Sequence, residues 1–294
     1  MEEETRKNWH DKSYKILLLV PAILLLISLI YLFSFYQKTG DIINKDVSLS
    51  GGTSITVFSQ TDIAQLKDFL SQKFTDFNVR EISDLRTGKQ EAFIVEVSAQ
   101  PEEVKEILEQ YLGFQLTEQN SSIEFTGATI GEGFYRQLRT AIIIAFILMS
   151  LVVFFIFRTF VPSLAVILSA FADIVMSLAL VNFLGMKLSA AGIIAFLMII
   201  GYSVDSDILL TTRILKRRED SLNSRIFSAF KTGVTMTLTS LAAVIVSLLI
   251  VMSLSNTLFQ IFTILSIGLG FDLVNTWLAN LGILKWYARK KGLN

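Results

Sequence analysis

Four acidic residues lie inside segments of this chain that are otherwise apolar enough for lipid. Asp205 and Asp207 belong to the stretch GYSVDSDILLTTR, which ends at Arg213. Asp173 and Asp272 each lie near the middle of another apolar run. An acid at the centre of a membrane helix costs about 2.5–3.5 kcal/mol on insertion scales, so these residues are candidates for a function that requires them.

The acids admit a structural and a functional interpretation. In the structural one, each acid accepts hydrogen bonds from a neighbouring hydroxyl or amide and so locks the packing of the helices. In the functional one, carboxylic acids in a low-dielectric environment carry protons, which makes a proton path plausible. The sequence contains no Lys or Arg deep enough in these runs to pair with the acids directly.

Helical spacing predicts which polar residues point the same way. Asp207 shares a helix face with Ser203 and Thr211, whereas Asp205 diverges from that face by about 200°. The other polar faces are Ser169, Asp173 and Ser177; Asp272, Asn275, Thr276 and Asn280; and a small-residue stripe of Thr235, Thr239, Ala243 and Ser247. We expect one bundle with these faces turned inward, although close packing alone also accounts for the stripe.

The sequence shows no pattern typical of an enzyme site. It contains no cysteine, which excludes a disulfide framework, thiol chemistry and a Cys-based metal site. The single histidine, His10, precedes the first apolar run. Asp205, Asp207 and Arg213 do not match a catalytic triad, a metal cage or a phosphate-binding loop. We therefore expect no enzymatic activity, no bound metal and no cofactor.

The distribution of apolar residues predicts a membrane protein. Runs of about 20 apolar residues are long enough to cross a bilayer. A signal peptide is the alternative for the first run, but that run is long for one and no small-residue cleavage site follows it. The runs cover 16–36, 140–157, 161–184, 188–210, 233–254 and 258–284. We expect six transmembrane helices, the first at 16–36 and the other five within 138–291.

Basic residues in the short loops predict the orientation. They concentrate beside the first and last runs and between the fourth and fifth, whereas the opposite short loops contain only Lys187. Residues 1–15, the loop 211–232 and the C-terminus are thus expected in the cytoplasm of a multi-pass plasma-membrane protein. Within this loop, the basic run 216–218 is an anchor near anionic lipid or a docking site for a cytosolic partner.

Residues 37–137 alternate between strand and helix patterns and are expected outside the cell. Strands are predicted at 53–58, 77–85 and 92–97, with a last strand drawn from 114–116 and 122–125. Helices are predicted after a cap at Thr61 and from Pro101, and a turn at 86–89. The order βαββαβ predicts an α+β, ferredoxin-like extracytoplasmic domain. Its acidic residues outnumber its basic ones, which disfavours nucleic acid as a partner.

Four short segments, taken in order, resemble motifs of the SecF family of protein-export membrane proteins. Residues 46–53, DVSLSGGT, look like the family's GxDFxGGT, and residues 127–132, GATIGE, are similar to its VGPxxGxE. Residues 172–174, ADI, resemble HDV, and the stretch 201–213 resembles GYSxNDTxxxxxR. The matching positions include Asp46, Gly51, Gly52, Thr53, Gly131, Gly201 and Tyr202. Two positions depart from the family: Ala172 replaces its histidine, and Asp205-Ser206 replaces its ND pair, as in an archaeal-type member.

The resemblance implies the resistance–nodulation–division superfamily. Its export branch pairs SecF with SecD beside the SecY channel and is thought to pull secreted polypeptides outward with the proton gradient. The implied partners are a SecD-like six-span protein, a SecY-type translocon, a secreted polypeptide and the lipid bilayer.

Three hypotheses for the function remain. The chain is a proton-coupled motor subunit, a non-coupled assembly or scaffold subunit of the translocase, or half of a small-molecule exporter of the same superfamily. We also expect most polar helix faces to lack partners within the chain. A second six-span protein would then pack on seams that include Ala243 and Gly270.

Overall fold

The computed structural model describes residues 16–84, 87–216, 221–252 and 255–292. Several features predicted from the sequence lie wholly or partly outside these residues: the N-terminal segment 1–15, the end of the strand 77–85, Arg86 of the turn, residues 217–220 of the loop 211–232 with Arg217 and Arg218 of the basic run, and the end of the apolar run 233–254. Within the described residues, six helical stretches are long and apolar enough to cross a membrane. A small antiparallel sheet is formed by residues between the first two of them. The elements in chain order are α1 (Leu19–Thr39), α2 (Val47–Ser50), β1 (Gly52–Val57), α3 (Ile63–Ser71), β2 (Phe77–Ser83), β3 (Gln90–Val97), α4 (Pro101–Leu112), β4 (Ser121–Thr126), α5 (Ala128–Phe157), α6 (Phe160–Phe183), α7 (Ala190–Lys216), α8 (Leu222–Val251), α9 (Asn256–Val274), a π-helix (Asn275–Asn280) and α10 (Leu281–Lys290).

The residues between α1 and α5 form an α+β domain. Its four strands pair antiparallel in the order β2-β3-β1-β4, and Thr53 lies opposite both Val97 and Phe125. Alternate residues of the strands, such as Ile55 and Val95, are fully buried and pack against α3 and α4. This packing follows from the period-2 alternation of side chains in a strand.

Local signals set the boundaries of the domain's helices. Pro101 occupies the first turn of α4, where its missing N–H costs nothing. The cap of α3 is Asp62 rather than Thr61, because the Asp62 carboxylate accepts hydrogen bonds from the amides of Ala64 and Gln65. The last strand is confined to β4, and residues 114–116 do not belong to it.

The membrane helices differ in how much of their surface the chain itself covers. More than half of the most apolar stretch of α6 and of α7 is buried, whereas α1, α5 and α8 leave most of theirs uncovered. The two central helices therefore carry the side chains that are withdrawn from lipid. The last span, which begins in α9, continues through the π-helix into α10 without a break.

Two helix boundaries differ from those expected from the sequence. α5 begins at Ala128, so residues 128–137, which the sequence analysis assigned to the domain, form its first turns. α7 reaches Lys216 and α8 starts at Leu222, so most of the expected loop 211–232 is helical. Polar residues near a membrane surface are compatible with helix, because the hydrophobic pattern marks only the part of a helix that lies in lipid.

Candidate functional site

Asp173 lies at the centre of α6 with its side chain fully buried. Its carboxylate accepts hydrogen bonds from Ser203 Oγ on α7 at 2.5 Å and from Asn275 Nδ2 of the π-helix at 2.6 Å. Ser169 and Ser177, one turn away on α6, are also buried, as the spacing predicted. The donors to Asp173 nevertheless come from other helices.

Asp207 and Asp272 are joined through one hydroxyl group. Thr276 Oγ1 lies 2.8 Å from Asp207 Oδ1 and 3.0 Å from Asp272 Oδ1. Asn280 Nδ2 donates to the same Asp207 oxygen at 2.6 Å. Asp207 is fully buried and Asp272 is 1% exposed. Both acids are therefore removed from solvent and share a single hydroxyl neighbour.

A threonine hydroxyl carries only one proton to donate. Both carboxyl oxygens lie within hydrogen-bond distance of Thr276 Oγ1. Its one proton is either shared between the two oxygens or donated to one acid while the other acid, if protonated, donates to Thr276. The arrangement can therefore accommodate a proton between these two carboxyl groups.

Further hydroxyl groups surround Asp272. Ser206 Oγ on α7 lies 2.9 Å from Oδ1 and 3.2 Å from Oδ2, and Thr237 Oγ1 on α8 lies 3.4 Å from Oδ2. Ser206 Oγ is also 3.0 Å from the carbonyl oxygen of Ser203, so hydroxyl contacts lead from Asp272 towards the helix turn that contacts Asp173. Sequence spacing singled out neither Ser206 nor Thr237. For Ser206, the one available signal was its position between the two predicted acids Asp205 and Asp207.

The π-helix brings three polar side chains to this cluster. Asn275, Thr276 and Asn280 are all fully buried, and each contacts a carboxylate. A π-helix replaces i→i+4 hydrogen bonds by i→i+5 bonds and is frequent at functional sites. The sequence predicted that these residues share a face with Asp272. It did not predict that they lie in a π-helix. We call the set of Asp173, Asp207, Asp272, Asn275, Thr276, Asn280, Ser203 and Ser206 the carboxylate cluster.

Four of the predicted positions lie on α7 but outside the carboxylate cluster. Asp205 is exposed on the opposite face of α7, as helical spacing predicted. Arg213 donates to Ser228 Oγ on α8, and the ion pairs found among the described residues do not include it. Gly201 and Tyr202 are exposed as well. The ion pairs between described residues join residues of the α+β domain and of the loops beside it. They therefore lie outside the carboxylate cluster. Lys285, two turns past Thr276 on α10, is buried with 1% exposure.

The remaining predicted positions meet where the domain joins α5. Asp46 caps α2 by accepting a hydrogen bond from Ser48 N at 2.8 Å, and burial raises the pKa of Asp46. Gly51 has φ of +85°, and a Cβ there would lie 2.4 Å from Ala128 Cα. A Cβ on Gly131 would lie 3.0 Å from Gly51 N. Thr53 Oγ1 donates to the carbonyl of Ala99 at 2.7 Å, and Gly52 also has positive φ. This close approach fixes the domain on the first turn of α5.

Two expectations about the helix faces are wrong. The polar faces that carry the buried acids find their partners inside the chain, as the hydrogen bonds of the carboxylate cluster show. The small-residue stripe on α8 faces outward: Thr235, Thr239 and Ala243 are exposed, and both threonine hydroxyls donate to carbonyls of their own helix. Thr237, which lies between the two threonines in sequence, is the residue that points inward.

The chemistry open to this cluster is proton storage and transfer. Its acids have hydroxyl and amide neighbours at 2.5–3.0 Å, and the side chains lie on three spans. The described residues include no group of three or more His, Cys, Asp or Glu side chains placed to hold a metal ion. Asn275 and Asn280 each have a buried Oδ1 that accepts no hydrogen bond from the described residues. These oxygens are available to a proton donor inside the bundle.

Comparison with known sequences gives consistent matches. The family described as "Protein export membrane protein SecD/SecF, C-terminal" matches residues 105–290. The SecF protein-export membrane protein of Methanocaldococcus jannaschii is 38% identical over 285 residues, covering 94% of this chain and 96% of that protein. The SecF of Pyrococcus furiosus is 36% identical over 281 residues, covering 94% and 92%.

A solved structure shares the fold. The crystal structure of SecDF, a translocon-associated membrane protein from Thermus thermophilus, superposes with a TM-score of 0.75 at 19% sequence identity. The match covers 98% of this chain but only 40% of the SecDF chain. A second SecDF structure, in a super-membrane-facing form, gives a TM-score of 0.60 at 21% identity. At these identities the comparison shows the fold alone.

Proposed function

Because this chain belongs to the SecD/SecF family of protein-export membrane proteins, we propose that it is a proton-coupled accessory subunit of Sec export. It promotes the outward movement of a secreted polypeptide beside a SecY-type channel. The export role follows from the SecF relatives, which align over more than nine-tenths of this chain. Proton coupling is the step that this proposal adds, and it rests on the carboxylate cluster.

The observation that carries the proposal is the single Thr276 hydroxyl between Asp207 and Asp272. When the helices move apart, a proton between two buried acids loses one of its two partners, so its binding energy depends on the arrangement of the bundle. A proton crossing the membrane potential provides about 2.3 kcal/mol per 100 mV. That energy biases a two-state movement roughly fiftyfold, at 1.4 kcal/mol per factor of ten.

The partner proposed for this subunit is a second six-span membrane protein of the SecD type. The match covers 40% of the SecDF chain, and we assign the SecD-type half of that architecture to the proposed partner. Large apolar faces of α5 and α8 remain uncovered in the monomer, as expected of surfaces that meet lipid or a neighbouring protein. The outward stripe containing Ala243 and the open face at Gly270 allow close approach to such a neighbour.

We further propose that the α+β domain is extracytoplasmic and ferredoxin-like. Its element order is βαββαβ once the short α2 is set aside, and its antiparallel sheet order is β2-β3-β1-β4. The orientation is supported by the basic residues near the opposite ends of the spans, among them Arg213, Arg225 and Lys231. In this orientation the domain faces the polypeptide that emerges from the channel.

A non-coupled scaffold is the second candidate function. It is favoured by the same cluster, since each of its three acids has at least two hydrogen-bonding neighbours and so holds helices together. The two functions differ in one respect: only the coupled subunit needs an acid that gains and loses a proton. Replacing an acid by its amide removes titration while keeping the size of the side chain.

The test is export by membrane vesicles that contain the complex, with and without a proton gradient. Asp207→Asn and Asp272→Asn should each lower gradient-dependent export by about tenfold or more, the size of effect expected when a group that transfers a proton is lost. Asp205→Asn is the matched control, because Asp205 is on the same helix but exposed. Assembly is measured in parallel by co-purification. Normal export by both inner variants with the gradient intact would leave the scaffold function, and loss of assembly would identify structural acids.

A further inference from the structure

The short loop between α6 and α7 contacts the α+β domain. Lys187 Nζ forms an ion pair with Asp76 Oδ1 at 2.7 Å, and Asp76 directly precedes β2. The Lys187 side chain is 17% exposed and the Asp76 side chain 63% exposed, so the pair lies at the surface with only its lysine largely covered. Ser98 Oγ donates to the other oxygen of Asp76 at 3.2 Å. The loop between α6 and α7 therefore contacts the α+β domain directly, through the Lys187 side chain.

The backbone of the same loop is joined to the segment that leads into the domain. Leu188 N donates to the carbonyl of Asn44 at 2.6 Å, and Asp46 N donates to the carbonyl of Leu188 at 3.0 Å. Ala190 N donates to Ser48 Oγ at 3.2 Å. These bonds pair residues that are more than 140 positions apart. They hold the 44–48 segment against the start of α7.

Gln260 of α9 completes the junction. Its Oε1 accepts hydrogen bonds from Ser189 N at 3.0 Å and from Ser189 Oγ, and its Nε2 donates to the carbonyl of Lys187 at 2.5 Å. Gln260 is 2% exposed. Gly192 faces it closely, since a Cβ there would lie 2.4 Å from Gln260 Oε1. Both ends of the Gln260 amide group are thus fixed by hydrogen bonds, and the missing side chain of Gly192 leaves room for the group.

The helices that meet at this junction are the ones that carry the carboxylate cluster. α6 contributes Asp173, α7 contributes Asp207, and α9 contributes Asp272. A helix rises about 1.5 Å per residue, so Gln260 and Asp272 are roughly 18 Å apart along α9. A packed helix moves as a rigid element, so a shift at one end is transmitted to the other.

We infer that Gln260 is a positioning residue: with the loop 187–190 it forms a latch that couples movements of the carboxylate cluster to the α+β domain. This inference rests on the proposed function, because it supplies the mechanical connection that proton coupling requires. When the packing of α7 against α9 changes at the acids, the domain-side ends of both helices change together. The latch passes this change to the domain through Lys187 and the 44–48 segment.

The first measurement is amide hydrogen exchange on the full-length chain in detergent. Gln260→Leu removes both hydrogen-bonding ends, and exchange at residues 187–192 and 44–50 should become roughly tenfold faster. Gln260→Glu keeps the acceptor for Ser189 and the size of the side chain but loses the donor to Lys187, so a smaller increase is expected. Thr263→Ala is the control one turn further along α9, because Thr263 Oγ1 donates only to the carbonyl of Phe259.

The second measurement tests coupling itself. In the cysteine-free chain, Ser71→Cys on the domain and Lys231→Cys on α8 give exposed positions for a pair of spin labels. Asp207→Asn, which cannot ionise, should shift the distance distribution between the labels. The same substitution in the Gln260→Leu or Gln260→Glu background should produce no shift or a reduced one, while Thr263→Ala should leave the shift unchanged.

Either of two results would overturn the latch. One is a shift of equal size with and without Gln260; the other is no shift on Asp207→Asn in the otherwise unchanged chain. Both measurements are made without export, so they stand apart from the proposed function. Export that fails to depend on a proton gradient would contradict the proton coupling while leaving a measured latch in place.

Discussion

At the scale of single residues, the central feature is Thr276, whose one hydroxyl proton faces two carboxyl groups. This hydroxyl contacts both carboxyl groups, and in the proposed function it passes protons between them. The neighbouring amides of Asn275 and Asn280 can donate to a carboxylate but cannot be ionised themselves. The acids are therefore the groups that can carry charge, and the threonine and asparagines keep the carboxyl groups in position.

Thr276→Val tests this assignment without removing an acid. Valine is close to threonine in size but has no hydroxyl, so Asp207 and Asp272 lose their shared neighbour, and co-purification of the complex checks that assembly is kept. We expect gradient-dependent export to fall by about tenfold, which corresponds to roughly 1.4 kcal/mol of lost coupling. Thr263→Val is the matched control, since its hydroxyl bonds only to its own helix. Equal export by the two variants would contradict a role for the shared hydroxyl.

At the scale of elements, two irregular features position the functional parts. The π-helix aims Asn275, Thr276 and Asn280 at three acids on α6, α7 and α9. The turn after α2 brings Gly51 within contact of Ala128, where any side chain would collide with the backbone of α5. Regular helix geometry alone accounts for neither arrangement.

Gly51→Ala should destabilise the junction between the domain and α5. The substitution combines positive φ with a Cβ placed 2.4 Å from Ala128 Cα, so the domain has to move away from the helix. Gly113→Ala is the control: Gly113 also has positive φ, but nothing lies within 4 Å of its Cβ position. Strain in the left-handed region, where Gly113 lies, costs about 1–2 kcal/mol, whereas Gly51 has ψ of 153° and lies in a region that is essentially restricted to glycine.

We expect Gly51→Ala to lower the thermal unfolding midpoint more than Gly113→Ala. It should also speed hydrogen exchange in the first turns of α5. A smaller or equal effect of Gly51→Ala would show that the close contact with Ala128 is not tight in solution.

At the scale of the whole molecule, a small α+β domain is held over a six-span bundle by contacts distant in sequence. Tyr135 of α5 donates to Asp41 at 2.7 Å, and Asn182 at the end of α6 donates to the carbonyl of Ile42 at 2.7 Å. Lys187 adds the ion pair with Asp76. These contacts are all on one side of the bundle, so that side must be the side of the membrane on which the domain lies.

The orientation of the molecule can be tested because the chain has no cysteine of its own. Ser71→Cys on α3 should react with an impermeant thiol reagent applied to intact cells, whereas Ser221→Cys before α8 should react only after permeabilisation. Both positions are exposed in the structure, so a difference in labelling reflects the membrane and not burial. The reverse pattern would place the domain in the cytoplasm and contradict the proposed export geometry.

The sequence by itself determined the class of the protein and the direction of the faces that carry the buried acids. Runs of apolar residues predicted six spans, and the spacing of Asp207 with Ser203 and Thr211 predicted an inward face that excludes Asp205. The same spacing identified Asn275, Thr276 and Asn280 beside Asp272. These features depend on the 3.6-residue period of one helix, which is a local property of the chain.

Only the tertiary structure decided which faces meet. Asp173 and Asn275 are 102 positions apart, and Asp207 and Asn280 are 73 apart, so no local period relates them. Spacing also failed for the stripe of Thr235, Thr239 and Ala243, because a helix with a small-residue face packs equally well against its own bundle or a neighbour. The shared hydroxyl at Thr276 follows from the packing of α7 against the last span, since hydrogen bonds between helices depend on distances that no single segment sets.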